Sequence, residues 1–223
     1  MTRIATATVA LIAASAASAA VPTWDQIQAA SWSDYATKSH ESAGKVQVLS
    51  STIQGMECFK GMADTLVPAE VLYQVAADIT GTMKWSTAGV TEAELLSTSG
   101  ADIYYYQYLD VPGWTMSADR FWFLHGHTAR ADGKITFTWD KPSEGGPHAD
   151  RYKEVRAAHP DAVEPPVNVG GWVFTPVGGS THIDYYICTD TGGYVPRTVQ
   201  SAATTRTLPD TLGDLVREGR KRQ

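Results

Sequence analysis

The sequence predicts a single α+β domain in which a long antiparallel sheet is followed by one C-terminal helix. Apolar and polar residues alternate as in strands over most of residues 90–190. Apolar residues then recur at helical spacing up to Leu215 and Val216. Hydrophobic residues make up 43% of the chain and charged residues 19%, which is typical of a folded globular protein. A chain of 223 residues can form one such domain with a core large enough to enclose a cavity.

The N-terminus has the pattern of a secretory signal peptide. Arg3 provides positive charge, residues 4–14 form a short apolar stretch, and residues 17–19 are the small residues that a signal peptidase requires. An uncleaved membrane anchor is the alternative, but the apolar stretch is shorter than the roughly 20 residues that span a bilayer. We therefore assign residues 1–19 to the signal peptide and expect an exported protein, periplasmic or secreted.

The mature chain is predicted to begin with an N-terminal helix, placed within residues 20–39. Trp24, Ile27, Ala30 and Tyr35 lie at helical spacing there. The main domain then occupies the rest of the chain.

Strands account for most of the remaining elements. Alternation predicts strands at residues 45–51 and 56–64, and a second helix begins near Pro68, a favourable residue in a first helical turn. Asp132 and Gly133 mark a hairpin turn. The further predicted strands cover residues 90–97, 102–109, 120–131, 134–140, 151–158, 171–176 and 181–190. The last helix starts near Val195.

The charge of the chain limits the classes of partner. A formal net charge of −6 disfavours a nucleic-acid-binding protein, because such proteins usually carry a basic surface. Four basic residues, Arg217, Arg220, Lys221 and Arg222, lie at the C-terminus. We attribute them to the negative end of the helix dipole, with membrane docking as the alternative.

Six segments resemble, in order and spacing, the START family of steroidogenic-acute-regulatory-protein-related lipid-transfer domains. They are MKW at 83–85, DIYYYQYLDVPGW at 102–114, DRFWFL at 119–124, EVRAAHP at 154–160, GGWVFTP at 170–176 and STHIDYYICTDTGGYVP at 180–196. The resemblance covers roughly residues 40–220 and implies a START-like domain over residues 40–223. It implies a helix-grip fold, in which a curved antiparallel sheet wraps around a long C-terminal helix and encloses a hydrophobic tunnel. Such domains hold one lipid and usually catalyse nothing.

Strand parity divides the predicted strand 102–109 into two faces. Tyr105 and Gln107 share one face, while Tyr104, Tyr106 and Tyr108 share the other. The resemblance selects the face with Gln107 for the tunnel, with Gln107 and Tyr105 as candidate partners for a lipid head group. The complete ligand lining that it implies is Trp85, Tyr105, Gln107, Trp122, Leu124, Ile135, Phe137, Trp139, Ile183, Tyr185, Ile187, Val199, Ala203, Thr207, Leu208, Thr211 and Leu212. The alternative is that these residues fill a solid core.

The chain departs from the family at polar positions. Many START domains have Arg followed by Asp after the first loop of the sheet, whereas here Arg120 is followed by Phe121. Gln107 and Gly126 occupy the positions where some members place a buried acid and arginine pair. The ligand's identity therefore stays open among a sterol, a hopanoid, a phospholipid and a fatty acyl lipid.

The two cysteines allow two interpretations. In an oxidising compartment Cys58 and Cys188 suggest a disulfide. The resemblance implies a strand between their two strands, a separation beyond disulfide reach. We therefore expect two buried thiols.

Motifs for catalysis and metal binding are weak. His125 and His127 share a strand face, but metal sites normally need three or four ligands, and parity turns both away from the tunnel. The sequence contains no HExxH, P-loop or GxSxG motif.

We expect a monomeric lipid-binding or lipid-transfer protein without catalytic residues, cofactor or metal. Its expected partners are a lipid, transiently a membrane, and an envelope protein, but no nucleic acid. A helix-grip enzyme of aromatase/cyclase or hydrolase type and a lipid-sensing module are the alternatives.

Overall fold

One antiparallel sheet organises the protein. The structure is a computed structural model that describes residues 20–111, 117–192 and 197–223, with the backbone alone for residues 197–205. In this part of the chain nine strands form one curved sheet in the order β1-β2-β3-β9-β8-β7-β6-β5-β4. The strands are β1 Ser33–His40, β2 Gly44–Ile53, β3 Met56–Thr65, β4 Val90–Ser99, β5 Asp102–Leu109, β6 Arg120–Ala131, β7 Lys134–Asp140, β8 Val167–Val177 and β9 Ser180–Asp190.

Five α-helices accompany the sheet in the described residues. They are α1 Trp24–Ala29, α2 Ala69–Ala77, α3 Thr82–Trp85, α4 Ala149–Ala158 and α5 Arg197–Lys221. The short helices α1 and α4 pack on one face of the sheet, each over its own apolar cluster. The opposite face packs against α2 and α5 and forms the largest core cluster. The predicted α+β helix-grip fold is confirmed.

The C-terminal helix α5 rests on the half of the sheet formed by β1, β2 and β3. Leu208 and Leu212 of this helix are buried against Gly61 of β3. A Cβ atom at Gly61 would overlap the Leu208 side chain and lie 2.6 Å from Leu212 Cδ1. The helix therefore approaches β3 as closely as only a glycine permits.

A buried carboxylate holds α5 to the segment before β4. Asp214 is 1% exposed, and its Oδ2 accepts hydrogen bonds from Thr87 N at 2.6 Å and Thr87 Oγ1 at 2.7 Å. Its other oxygen pairs with Arg217 at 2.6 Å, and Arg217 also donates to the carbonyl of Trp85. These bonds fix the helix to the α3–β4 connection.

The predicted N-terminal helix is wrong in its extent. The helix α1 ends at Ala29 because Ala30 is already extended, with φ −67° and ψ 148°. Residues 33–40 form the edge strand β1 instead. Most β1 side chains are exposed, so the strand lacks the apolar alternation that identifies the other strands.

The strand predicted at residues 151–158 is also wrong, since these residues belong to α4. Within this helix Val155 is buried, and the partly buried Tyr152 lies three residues before it. This spacing places both on one helical face, whereas the strand interpretation relied on a short and mostly polar segment.

The two cysteines form a disulfide, so the expectation of two buried thiols is wrong. Cys58 of β3 and Cys188 of β9 are directly paired across the sheet, with their Cα atoms 4.4 Å apart. No strand separates β3 from β9, which removes the reason for expecting free thiols. The disulfide thus crosses the junction between the first three strands and the remaining six.

Removing the disulfide is expected to destabilise the protein strongly. The bond joins residues 130 positions apart and restricts the unfolded chain, so the double variant Cys58→Ala/Cys188→Ala is expected to lose about 2–5 kcal/mol of unfolding free energy. Urea unfolding of both proteins measures the difference. Reductant should lower the midpoint of the wild type but not that of the variant. An unchanged unfolding free energy in the variant would contradict the assigned bond.

Loss of the Asp214 carboxylate is expected to loosen the C-terminal helix. Asp214→Ala leaves the Thr87 amide without its charged acceptor, so we expect a loss of about 2–3 kcal/mol in thermal or urea unfolding. Asp210→Ala is the control on the same helix, because its side chain is 61% exposed, and a change within about 0.5 kcal/mol is expected. Equal effects of the two variants would show that the Asp214 contacts contribute little.

Candidate functional site

A partly open cavity of about 340 Å³ lies between the sheet and helices α2, α3 and α5. Strands β5 to β9 form its wall, and the connection from α3 to β4 closes one side. Its volume is near the lower end of the range of about 300–1,000 Å³ that is usual for small-molecule sites. The space suits one compact hydrophobic molecule.

Aromatic side chains form much of the cavity wall. The rings of Trp172 and Tyr185 lie 4.2 Å apart, and those of Trp139 and Tyr185 lie 5.8 Å apart. Burial raises the pKa of the Tyr105 and Tyr185 phenols far above the ordinary value. Both phenols are therefore neutral at physiological pH, and this part of the cavity offers an uncharged, apolar surface to a ligand.

Two carboxamides lie among these aromatic residues, and their orientation is fixed by tryptophan. Trp122 Nε1 donates to Gln107 Oε1 at 3.2 Å, and Trp139 Nε1 donates to Asn168 Oδ1 at 3.0 Å. An indole N–H can only donate, so each carboxamide must present its oxygen to the ring. The amide nitrogens of Gln107 and Asn168 can therefore donate to a ligand, and each oxygen keeps one further lone pair.

One charged side chain, Arg120 at the start of β6, lines the cavity. It is 7% exposed, and its Nε donates to the carbonyl of Thr191 at 2.8 Å. Its other nitrogens donate to the carbonyls of Ala118, Asp119 and Gly192. Burial lowers the pKa of the guanidinium, although Asp119 acts in the opposite direction. An arginine nevertheless stays protonated in proteins, so the cavity carries a positive charge here.

Most of the predicted lining residues face this cavity. Those that do are Trp85, Tyr105, Gln107, Trp122, Leu124, Phe137, Trp139, Tyr185, Ile187, Thr207 and Thr211. The strand parity of the sequence interpretation therefore agrees with the geometry. Binding of a ligand by these residues stays a prediction.

Six predicted residues are placed differently. Ile135, Ile183, Leu208 and Leu212 are buried in the core cluster and are not part of the cavity wall. For Leu208 and Leu212 the reason is their contact with β3, which turns them away from the open space. Val199 and Ala203 lie where the structure describes no side chains.

Sequence reasoning missed several wall residues. Arg120 and Thr189 lie on β6 and β9, and extending the parity of the predicted residues along these strands finds both. Trp172 lies on β8, from which no lining residue was predicted. Ala76 and Ile79 come from α2 and the turn after it. No periodicity within a strand could have indicated which helical residues reach the cavity.

The histidines of β6 lie on the opposite face of the sheet. His125 pairs with Asp102 at 3.0 Å and with Asp140 at 3.0 Å, and His127 pairs with Asp102 at 2.7 Å. His125 also stacks on Tyr104, which faces away from the cavity. Over the described ranges, no group of three or more His, Cys, Asp or Glu side chains is arranged to hold a metal ion.

No protein-family model matches the chain, and no curated protein matches its sequence significantly. Solved structures do match its fold. The STAR-related lipid transfer protein from Xanthomonas axonopodis has 21% sequence identity and a TM-score of 0.67, over 85% of this chain and 98% of that one. Human STARD10 has 17% identity and a TM-score of 0.68, over 91% of this chain and 81% of that one.

An aromatase/cyclase, Zhui from Streptomyces sp. R1128, is a more distant neighbour. It has 14% identity and a TM-score of 0.54, over 75% of this chain and 95% of that one. None of the helices in the described ranges combines the length and the apolar character needed to cross a bilayer. The sheet order, the C-terminal helix over the cavity and these neighbours together establish that the chain has the START fold.

Proposed function

We propose that this protein binds one hydrophobic lipid in the cavity and carries it. The observation on which the proposal rests is an aromatic-lined cavity of about 340 Å³ beneath α5, whose surface is mostly apolar. The structural neighbour from Xanthomonas axonopodis, which is named as a STAR-related lipid transfer protein, supports it. Burying about 300 Å² of apolar ligand surface contributes on the order of 7 kcal/mol before the costs of binding, which favours binding of a hydrophobic ligand.

We propose that loading and release of the lipid involve a wider opening of the cavity. Opening a closed site usually involves displacement of a helix or loop, and we propose that α5 or the α3–β4 connection moves during transient contact with a membrane or an envelope partner. The bonds from Asp214 to Thr87 join these two elements. They would have to break, or the two elements would have to move together.

We propose that the protein carries its lipid without converting it chemically, despite the aromatase/cyclase among the structural neighbours. The described wall residues include no His, Asp, Glu, Cys or Lys. Residues 112–116 and 193–205, which adjoin the site in sequence, contain no His, Asp, Glu, Cys or Lys either. General acid–base catalysis most often uses such groups, so the composition of the wall favours a binding role.

Filling the cavity is expected to remove the bound lipid. Thr189 of β9 lines the cavity, and Thr189→Trp places an indole in the space that the ligand needs. Overpacking costs about 1–3 kcal/mol, so we expect lipid occupancy or affinity to fall about tenfold or more. Native mass spectrometry of protein purified from its own cell envelope measures the occupancy and the ligand mass.

Thr136→Trp is the matched control for this experiment. Thr136 lies on β7 between Ile135 and Phe137, which both point to the inner face, so its own side chain points to the outer face and lipid occupancy should stay at the wild-type level. Lipid recovered after incubation should also have an unchanged mass. Equal occupancy in Thr189→Trp and wild type would contradict the cavity as the binding site, and a chemically altered lipid would favour the enzymatic alternative.

We propose further that the protein is exported. Residues 1–19 lie outside the described residues, but the Cys58–Cys188 disulfide is typical of an oxidising compartment. The mature protein is expected to begin at Ala20, because cleavage after Ala19 follows the small-residue pattern. Intact-mass measurement and N-terminal sequencing of the envelope fraction test this. A full-length chain starting at Met1 in the cytoplasm would contradict export.

A further inference from the structure

The end of the cavity at Arg120 offers hydrogen-bond donors to a ligand. Strand register places Arg120 beside Leu109, two residues before the Gln107–Trp122 pair, so Arg120 and Gln107 lie one side-chain layer apart on the same face. The oxygens of the Gln107 and Asn168 carboxamides already accept from tryptophans, which leaves their N–H groups. We call Arg120, Gln107, Asn168 and Thr191 the donor end of the cavity.

Arg120 has no carboxylate partner. All of its hydrogen bonds go to backbone carbonyls, and none of the ion pairs in the described part of the chain includes it. The carboxylate of the neighbouring Asp119 instead accepts from Tyr108 Oη at 2.6 Å and Val111 N at 2.9 Å. Residues 1–19, 112–116 and 193–205 contain no Asp or Glu, so the Asp119 carboxylate offsets part of the guanidinium charge through space, but no acid forms a direct ion pair with Arg120.

A buried cation without an anionic partner is costly, because carbonyl dipoles replace only part of its hydration. Carbonyl bonds hold the guanidinium in a fixed orientation against the cavity. An arginine has five N–H donors, and four of them bond to the carbonyls of residues 118, 119, 191 and 192, which leaves one N–H of Nη2 to donate to an anion in addition to the charge itself. An anionic group of a ligand would therefore stabilise the buried guanidinium.

A second observation at the same end points to a ligand. The Thr191 hydroxyl is buried in the cavity wall and has no hydrogen-bond partner among the described residues, although the Thr191 carbonyl holds Arg120. The indole N–H of Trp85, another wall residue, is likewise buried without such a partner. Buried polar groups are normally satisfied, so both indicate a missing polar partner inside the cavity.

We infer that the bound lipid carries a carboxylate head group, which binds at the donor end opposite Arg120. This inference rests on the proposed lipid-binding function and specifies its ligand class. The carboxylate accepts hydrogen bonds from the Arg120 guanidinium, with the Gln107 amide and the Thr191 hydroxyl as further donors. A cavity of about 340 Å³ holds one acyl chain or one fused-ring skeleton next to this head group, so the ligand is a single-chain or compact lipid acid.

A pair of lipids that differ only in the head group tests the inference. The delipidated full-length mature protein is titrated with palmitate and with hexadecanol below their aggregation concentrations, by displacement of a fluorescent lipid probe. We expect palmitate to bind at least about tenfold more tightly, since hydrogen bonds to a charged group typically have that effect on affinity. Equal affinities would overturn the carboxylate assignment while leaving the lipid-binding function intact. Failure of both lipids to bind would overturn the lipid-binding function as well.

Variants then test whether Arg120 causes the preference for palmitate over hexadecanol. Arg120→Met removes the charge at similar length, and we expect palmitate to weaken about tenfold while hexadecanol changes less than about threefold. Arg130→Met is the control, because Arg130 is exposed, pairs with Glu70 and does not line the cavity. Parallel loss of both ligands in a folded Arg120→Met protein would overturn the assignment.

A further variant covers the case in which Arg120→Met does not fold. Gln107→Met removes a donor without touching the carbonyl bonds that Arg120 makes. We expect this variant to weaken palmitate severalfold and to leave hexadecanol unchanged within about twofold. An identical response of the two lipids would contradict a head group at the donor end. Circular dichroism and thermal melting establish that each variant is folded.

Discussion

The position of α5 on one half of the sheet determines where the protein can contain a cavity. Gly61 lets Leu208 and Leu212 pack directly on β3, and the helix contacts β1, β2 and β3. Because the sheet is curved, its other strands then face the space beside the helix instead of the helix itself. Helix α2 covers part of that space through its contacts with β7 and β8. The cavity is the space that remains between α5 and α2.

The outer face of the sheet stiffens the same strands that line the cavity. Strand β8 is buried along residues 167–174 on both faces, because α1 packs on its outer side and the main core on its inner side. The outer residues Tyr106 and Phe123 are buried under α4 in the same way. Because helices pack on the outer face, these strands can hold large aromatic rings in place around the cavity. A sheet exposed to water on its outer face would hold the rings less firmly. The polar groups of the wall are also fixed, since tryptophans orient Gln107 and Asn168.

The sequence predicted the central strands of the sheet best. Strands β5, β6 and β7 were predicted with the bounds that the structure has, and the face that the family resemblance selected, with Tyr105, Trp122 and Phe137, is the one that lines the cavity. Strand β1 was missed because an exposed edge strand shows little alternation, and α4 was missed because a largely polar ten-residue segment has little periodicity of either kind.

Long-range placement limited the prediction of the site. The pairing of Cys58 with Cys188 depends on which strands are neighbours, which the local pattern does not encode. The positions of Leu208 and Leu212 in the core depend on the absence of a side chain at Gly61, across the interface between helix and sheet. Arg120 is visible in the sequence as a charge beside aromatic residues, but its burial among carbonyls of the β9 end requires the fold.

The pairing of β3 with β9 has a consequence for how the molecule is made. These strands meet across more than a hundred residues of chain, and α5, which closes the cavity, follows β9. During folding, the inner edge of the first three strands stays uncovered until β9, near the end of the chain, is in place. The cavity is therefore complete only after α5, the last element, has packed on the sheet, and it cannot close around a ligand before the rest of the domain has folded.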